Sequence, residues 1–218
     1  MSTAMRAKTD LSQLCKKCSL IPEVCLCGDV PYLSIRSQVV VLMHKLELQR
    51  TSNTAKLVPL MIEDGEVRVR GARGNPLQTE DLRDDDHRSL LLFPDEGAPV
   101  LTPEFLERDE RPIRLVVPDG SWRQVRRLLA REKNLHGMER VRLIPAAPSR
   151  YRLRSQRTAT HLATFEAIAQ ALGIIEGPEV QAQLEQGFDL FVERLVARRP
   201  PISVQMKDEH RRALAEAQ

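Results

Sequence analysis

Ile113-Arg114-Leu115-Val116-Val117-Pro118-Asp119-Gly120-Ser121-Trp122-Arg123-Gln124-Val125-Arg126-Arg127-Leu128-Leu129 is the stretch on which the fold turns. Ile113 to Val117 form a short apolar run of strand character, Pro118 to Ser121 hold turn chemistry, and Trp122, Val125, Leu128 and Leu129 recur at helical spacing. A strand that ends in a glycine turn and opens directly into a helix is a unit of an α/β sheet. Gly120 allows a tight backbone path, Ser121 is suited to cap the helix, and Asp119 offers an acceptor at the strand end. Ligands of open α/β sheets gather at such ends, where backbone N–H groups and the helix dipole converge. The same residues also suit an ordinary capped turn with Trp122 as a core anchor, and both readings stay open.

Outward from this unit the grammar repeats. Gln38 to Met43 reads as a buried strand, Asn53 to Ile62 as a helix, and Ser89 to Phe93 and Val141 to Ile144 as further strands. His161 to Gly173 is expected as a helix stopped by its glycine, and Pro178 opens a longer one to about Arg198, ended by Pro200-Pro201. Gly71 to Arg88, with Asp84-Asp85-Asp86, is expected as an exposed loop. The organisation expected is a flexible N-terminus (1–14), a cysteine-rich knuckle (15–36), a main α/β domain (37–199) and a C-terminal tail (200–218).

A length of 218 residues suits one domain with a small appended module, and 42% hydrophobic with 29% charged residues suits a soluble chain. The longest apolar run, Val39 to Met43, is too short to cross a bilayer. The first residues, Met1 to Lys8, lack the apolar core and cleavage site of a secretory leader, so a reducing, cytoplasmic location is expected, with a monomeric protein. The net charge of +3 conceals an asymmetry: Arg108 to Arg157 carries fourteen Lys/Arg against five Asp/Glu, an excess of nine, which leaves the rest at −6. A field of that kind can recruit a polyanion, and the planar fork of arginine matches phosphate oxygens. A solvated helix face is the plainer explanation of the same charges.

Cys15-x2-Cys18 and Cys25-x-Cys27 place four soft ligands within thirteen positions. Tetrahedral zinc needs four such ligands, and a knuckle too small for a core of its own would gain its fold from the ion. Four thiolates would close the coordination shell, which makes the expected metal structural. Free buried thiols or a redox pair are the alternatives.

Other clusters follow strand ends: His44 and Glu47 with Ser52-Asn53-Thr54 after the first strand, Phe93-Pro94 after a later one, and Ser149-Arg150-Tyr151-Arg152-Leu153-Arg154 after Val141 to Ile144. With the cysteines, with Asp119-Gly120-Ser121-Trp122 and with Thr164-x-Glu166-Ala167, they form an ordered series from about residue 15 to 195. That series resembles the DTW-domain proteins, the tRNA-uridine aminocarboxypropyltransferases. Three positions depart from the family pattern: Ser121 stands where it has threonine, Asn53-Thr54-Ala55 where it has Asn-Thr-Gly, and Lys45 where many relatives have proline.

The resemblance implies a SPOUT-like α/β sheet with helices on both faces and a knotted C-terminal region. It implies S-adenosylmethionine as donor of a 3-amino-3-carboxypropyl group to N3 of a tRNA uridine, with methylthioadenosine released. Asp119, Ser121 and Trp122 would then be catalytic, with Asp119 either accepting the N3 proton or holding the donor's amino group. His44, Ser52, Asn53, Thr54, Phe93, Pro94, Tyr151, Arg154, Thr164 and Glu166 would bind the donor, Tyr151 and Arg154 through its carboxylate or through an RNA phosphate. Trp122 is expected to pack in the core, base stacking being its other role. Arg123, Arg126, Arg127 and Arg131 would follow the RNA backbone. An RNA methyltransferase using the same donor and a non-catalytic zinc-knuckle RNA-binding protein are the competing functions.

Overall fold

The computed structural model describes residues 14–18, 20–71, 74, 76–145, 147–153 and 161–197. Its strands are β1 (Gln38–His44), β2 (Gly65–Arg70), β3 (Arg88–Leu92), β4 (Ile113–Asp119) and β5 (Glu139–Val141). Its α-helices are α1 (Val58–Met61), α2 (Pro103–Leu106), α3 (Trp122–Arg131), α4 (Thr164–Ile175) and α5 (Pro178–Ala197). The strands form one sheet of order β2-β1-β4-β3-β5, every pairing parallel. Parallel strands need crossovers that put helices over the faces, so their residues are apolar on both sides. In β1, Val39, Val41 and Met43 enter a large core with α1, α4 and α5, whereas Val40 and Leu42 enter a smaller one with Val125, Leu128 and Leu129 of α3. The described N-terminal segment joins the large core through Cys18, Leu20, Val24 and Leu26.

This order creates a switch point. From β1 the chain proceeds to β2 on one side, and from β4 it proceeds to β5 on the other, so a crevice opens between the carboxyl ends of β1 and β4. The register sets Met43 beside Asp119 there.

Several boundaries differ from the sequence expectation. The segment after Asn53 is a 3-10 turn over Thr54–Leu57 followed by the short α1, whose second residue is Pro59, and Ile62 is already extended, bridging Leu33. β5 lies at Glu139–Val141, ahead of the expected strand; beyond it Arg142 bridges Val100, Leu143 lines a cavity and Ile144 is exposed, just before Pro145. α4 begins at Thr164 and runs through Gly173, where an added Cβ would collide with Gln181 of α5. Gly173 is there for helix packing, and the stop falls to Gly177, at φ +115°, a backbone conformation that favours glycine. The stretch before β3 is less exposed than expected: Leu82 enters the smaller core, and Arg114 donates to Asp84 Oδ2 at 2.6 Å and to the Asp81 carbonyl at 2.9 Å. β2 was not foreseen, because Glu66, Arg68 and Arg70 alternate with Val67 and Val69 on an edge.

Candidate active site

Asp119, the last residue of β4, is 8% exposed, and both its oxygens are engaged. Asn53 Nδ2 donates to Oδ2 at 2.7 Å, and Thr164 Oγ1 donates to Oδ1 at 2.5 Å. Asn53 is itself fixed as the cap of the following 3-10 turn, its Oδ1 accepting from Ala55 N–H at 2.9 Å. Thr54 Oγ1 accepts from Phe165 N–H at 3.2 Å, which satisfies one of the free donors at the start of α4. Residues 66 and 45 positions from Asp119 along the chain thus converge on one carboxylate. Thr164 is the first residue of α4, so the carboxylate is tied to the start of that helix.

A cavity of about 410 Å³ opens above this node, within the range of small-ligand sites. Ser52, Asn53, Thr54, Asp119 and Thr164 make its polar end, and Leu92, Phe93, Pro94, Val117 and Leu143 an apolar wall. At the mouth Trp122 is 40% exposed, with Phe93 edge-on at 6.0 Å and His161 tilted at 5.6 Å between ring centroids. Trp122 is therefore not the core anchor expected of it: as the first residue of α3 it projects at the helix end, and Val125, Leu128 and Leu129 fill the core instead.

The remaining site residues divide. Tyr151 lines the cavity, but its hydroxyl donates to the Ser52 carbonyl and its ring lies 6.0 Å from that of Phe188, so the phenol ties two loops together. Ser121 also lines the cavity, its hydroxyl donating to Gln124 Oε1 at 2.8 Å. Glu166 does not reach the cavity lining. Its buried carboxylate accepts from Ser149 Oγ at 2.5 Å, Arg150 N–H at 2.6 Å and Ala163 N–H at 2.7 Å, so it fastens the segment around residue 150 to the start of α4. His44 is likewise absent from the lining, with Nδ1 turned to Leu46 N–H at 3.3 Å and to Gln124 Nε2 at 3.1 Å. Arg154 lies outside the described residues. Sequence reasoning missed His161, a titratable group at the mouth that no local pattern announces, and Gln124, whose signal was its place three residues after a cap serine.

The sulfur atoms of Cys15, Cys18, Cys25 and Cys27 lie within 4.8 Å of one another, with Cys15–Cys27 and Cys18–Cys25 each at 3.6 Å. A tetrahedral ion with metal–sulfur bonds of about 2.3 Å would set its sulfurs about 3.8 Å apart, so the cluster fits a metal. Backbone N–H groups of Cys18 and Lys17 draw the Cys15 thiol down to about 6, while burial and the neighbouring thiols push Cys27 up to about 12.

A model of the DTW domain matches residues 12–196. Among curated proteins, tRNA-uridine aminocarboxypropyltransferase 2 of Drosophila melanogaster is 34% identical over 177 residues, 78% of this chain and 70% of that protein. The chain belongs to the DTW-domain family. The protein of the same name from Macaca fascicularis is 27% identical over 74% of this chain and 56% of its own length, so the chain spans little more than half of that relative. Among solved structures, the SAM-dependent rRNA:acp-transferase Tsr3 from Vulcanisaeta distributa aligns at a TM-score of 0.42 and 20% identity, covering 82% of this chain and 86% of that one.

In this DTW-domain protein the departures from the family pattern are local. The Ala55 methyl is fully buried in the large core, and Lys45 opens an exposed 3-10 turn. The basic segment is less free than its composition suggests. Arg111, Arg114 and Arg140 pair with Asp109, Asp84 and Asp95, and Arg150 with Glu185 and Asp189. Arg123, Arg126, Arg127 and Arg131 of α3 are exposed and have no ion-pair partner among the described residues. Four uncommitted positive charges thus stand on the helix whose first residue, Trp122, lines the cavity.

Proposed function

We propose that this chain transfers the 3-amino-3-carboxypropyl group of S-adenosylmethionine to N3 of a uridine in tRNA. The observation that carries the reading is the Asp119 node under a ligand-sized cavity, at the switch point of a chain whose relatives bear that activity in their names. In the reaction a bond forms between N3 and the γ-carbon, the γ-carbon–sulfur bond breaks, and its electron pair neutralises the sulfonium to give methylthioadenosine. The N3 proton leaves to an acceptor. Because the sulfonium already activates every carbon attached to it, the protein's task is to aim the γ-carbon and keep the methyl away from the nucleophile.

Asp119 is suited to the donor's amino group. Neutral donors fix both its oxygens, so the anion is held in place to receive an ammonium, and each oxygen keeps a second lone pair for it. The apolar wall suits the adenosyl moiety, and Trp122 at the mouth offers a face on which an extruded base can stack. Arg123, Arg126, Arg127 and Arg131 would hold phosphates without reading sequence. Zinc is the ion proposed for the four cysteines, as a structural site with a closed shell. A knotted C-terminal region, a cytoplasmic location and a monomeric state belong to the same reading; the knot rests on the family resemblance, and the location on cysteines that suit a metal in a reducing compartment.

The by-product tests the reading. Purified protein incubated with unmodified tRNA and S-adenosylmethionine should release methylthioadenosine in step with tRNA modification. Release of S-adenosylhomocysteine would make it a methyltransferase.

A further inference from the structure

The turn that carries Asp119, Ser121 and Trp122 hangs from a side chain with no role so far. Gln124 folds back along the first turn of α3, and its Oε1 accepts from Ser121 N–H at 2.7 Å and from Ser121 Oγ at 2.8 Å. A backbone N–H can only donate, which fixes the amide: Oε1 faces Ser121, and Nε2 is the group that meets His44 Nδ1 at 3.1 Å. Leu46 N–H points at the same nitrogen from 3.3 Å. With two donors aimed at it, His44 Nδ1 must present its lone pair, which puts the ring proton on Nε2.

The packing is close enough to control the turn. Gly120 adopts φ +153°, and a Cβ there would lie 3.1 Å from Gln124 Oε1, 3.3 Å from Gln124 Cβ and 3.5 Å from His44 Cβ. The turn therefore packs against Gln124 and His44, and a side chain at position 120 would need both a backbone angle that favours glycine and a shift of Gln124 by a few tenths of an ångström. His44 ends β1 and Asp119 ends β4, so this bridge joins the ends of the two strands at the switch point, next to Gly120 and Ser121 of the cavity lining.

We propose that Gln124 is a positioning residue for the transfer reaction, holding the Asp119–Trp122 turn to the end of β1 through a His44 ring fixed in its Nε2–H form. The proposal rests on the function given above. It explains why His44 can matter to the site without touching the cavity: its effect passes through Gln124. It also orders the variants. Gln124→Met keeps the length and loses every bond; Gln124→Glu keeps the acceptor for Ser121 but sets a second oxygen against the Nδ1 lone pair.

The test has a kinetic arm and a spectroscopic arm. Gln124→Met should lower kcat by about tenfold or more, as expected when reacting groups shift by a fraction of an ångström, with KM for tRNA and the melting temperature little changed. Gln124→Glu should recover part of that loss. In 15N spectra of histidine-labelled protein, with His44 assigned from a His44→Gln variant, the wild type should show a bare Nδ1 and a protonated Nε2, and Gln124→Glu should move a proton onto Nδ1. Wild-type kcat in Gln124→Met, or a protonated Nδ1 in the wild type, would overturn the proposal. Absence of transfer by the wild type would instead defeat the function assigned above, and the spectra, which need no substrate, would still decide the bridge.

Discussion

The polar cluster around Asp119 and the cluster of four cysteines are built in opposite ways. Around Asp119 the protein supplies partners of its own: Asn53 and Thr164 donate to the two carboxylate oxygens. Around the four cysteines it gathers like groups, sulfurs within 4.8 Å of one another with two pairs at 3.6 Å. The first cluster is a finished anion, ready for a cationic ligand. The second is a set of four thiols whose spacing fits a metal ion. On the proposed function the difference separates two contributions: the Asp119 node would set reactivity, and the cysteine cluster would help keep the N-terminal segment docked on the large core, which it joins through Leu20, Val24 and Leu26.

The largest effect expected comes from Asp119→Asn. It keeps the size of the side chain and removes the charge, and transfer should fall by about 100-fold or more in a rate assay while the melting temperature changes little. A mild loss would break the contrast, since the node would then be structural like the knuckle. Metal removal should do the reverse. A strong chelator should lower the melting temperature by about 10 °C, reversibly on adding zinc, because binding energy at such a site is folding energy. A chelated protein that melts unchanged would show that the thiols need no ion.

Smaller effects sharpen the comparison by lying outside both clusters. Replacing Arg126 and Arg127 by glutamine should weaken tRNA binding and lower the slope of log affinity against log salt by about one for each phosphate no longer neutralised, leaving donor binding intact. The smallest expected effect is at Asp84. Burial pushes its carboxyl up, but Arg114 and His87 outweigh this and hold it at about 2. Its folded value lies below the ordinary carboxylate range, so the stabilisation is present above that range and is lost as pH falls towards about 2. Asp84→Asn should therefore flatten the acid limb of a melting-temperature profile without changing transfer.

How much of this was legible in the sequence follows from the physics of each element. β1 and β4 announced themselves because strands buried on both faces are continuously apolar, and α3 because its core residues fall at helical spacing. β2 was hidden by alternating charges on an edge, and the end of α4 was misplaced because Gly173 serves helix packing and Gly177 termination. At the site, Asp119 was visible from its turn. Of its partners, Asn53 was marked by its place after the first strand and Thr164 only by the family resemblance, and no local pattern joins residues so distant in the chain. Glu166 and His44 were assigned to the ligand because they accompany site residues in sequence; the fold uses them to hold the loops that carry the site. Trp122 was misjudged because a tryptophan at the first position of a helix can face either the core or the mouth.

The central claim is that the cavity aims the γ-carbon of the donor, and not its methyl, at a uridine. The most direct measurement incubates metal-replete protein and unmodified tRNA with S-adenosylmethionine labelled on the carboxyl carbon and, separately, on the methyl. The account predicts carboxyl label in the tRNA, no methyl label, and loss of the incorporation in Asp119→Asn. Methyl label alone in the tRNA, or carboxyl label that survives Asp119→Asn undiminished, would contradict it.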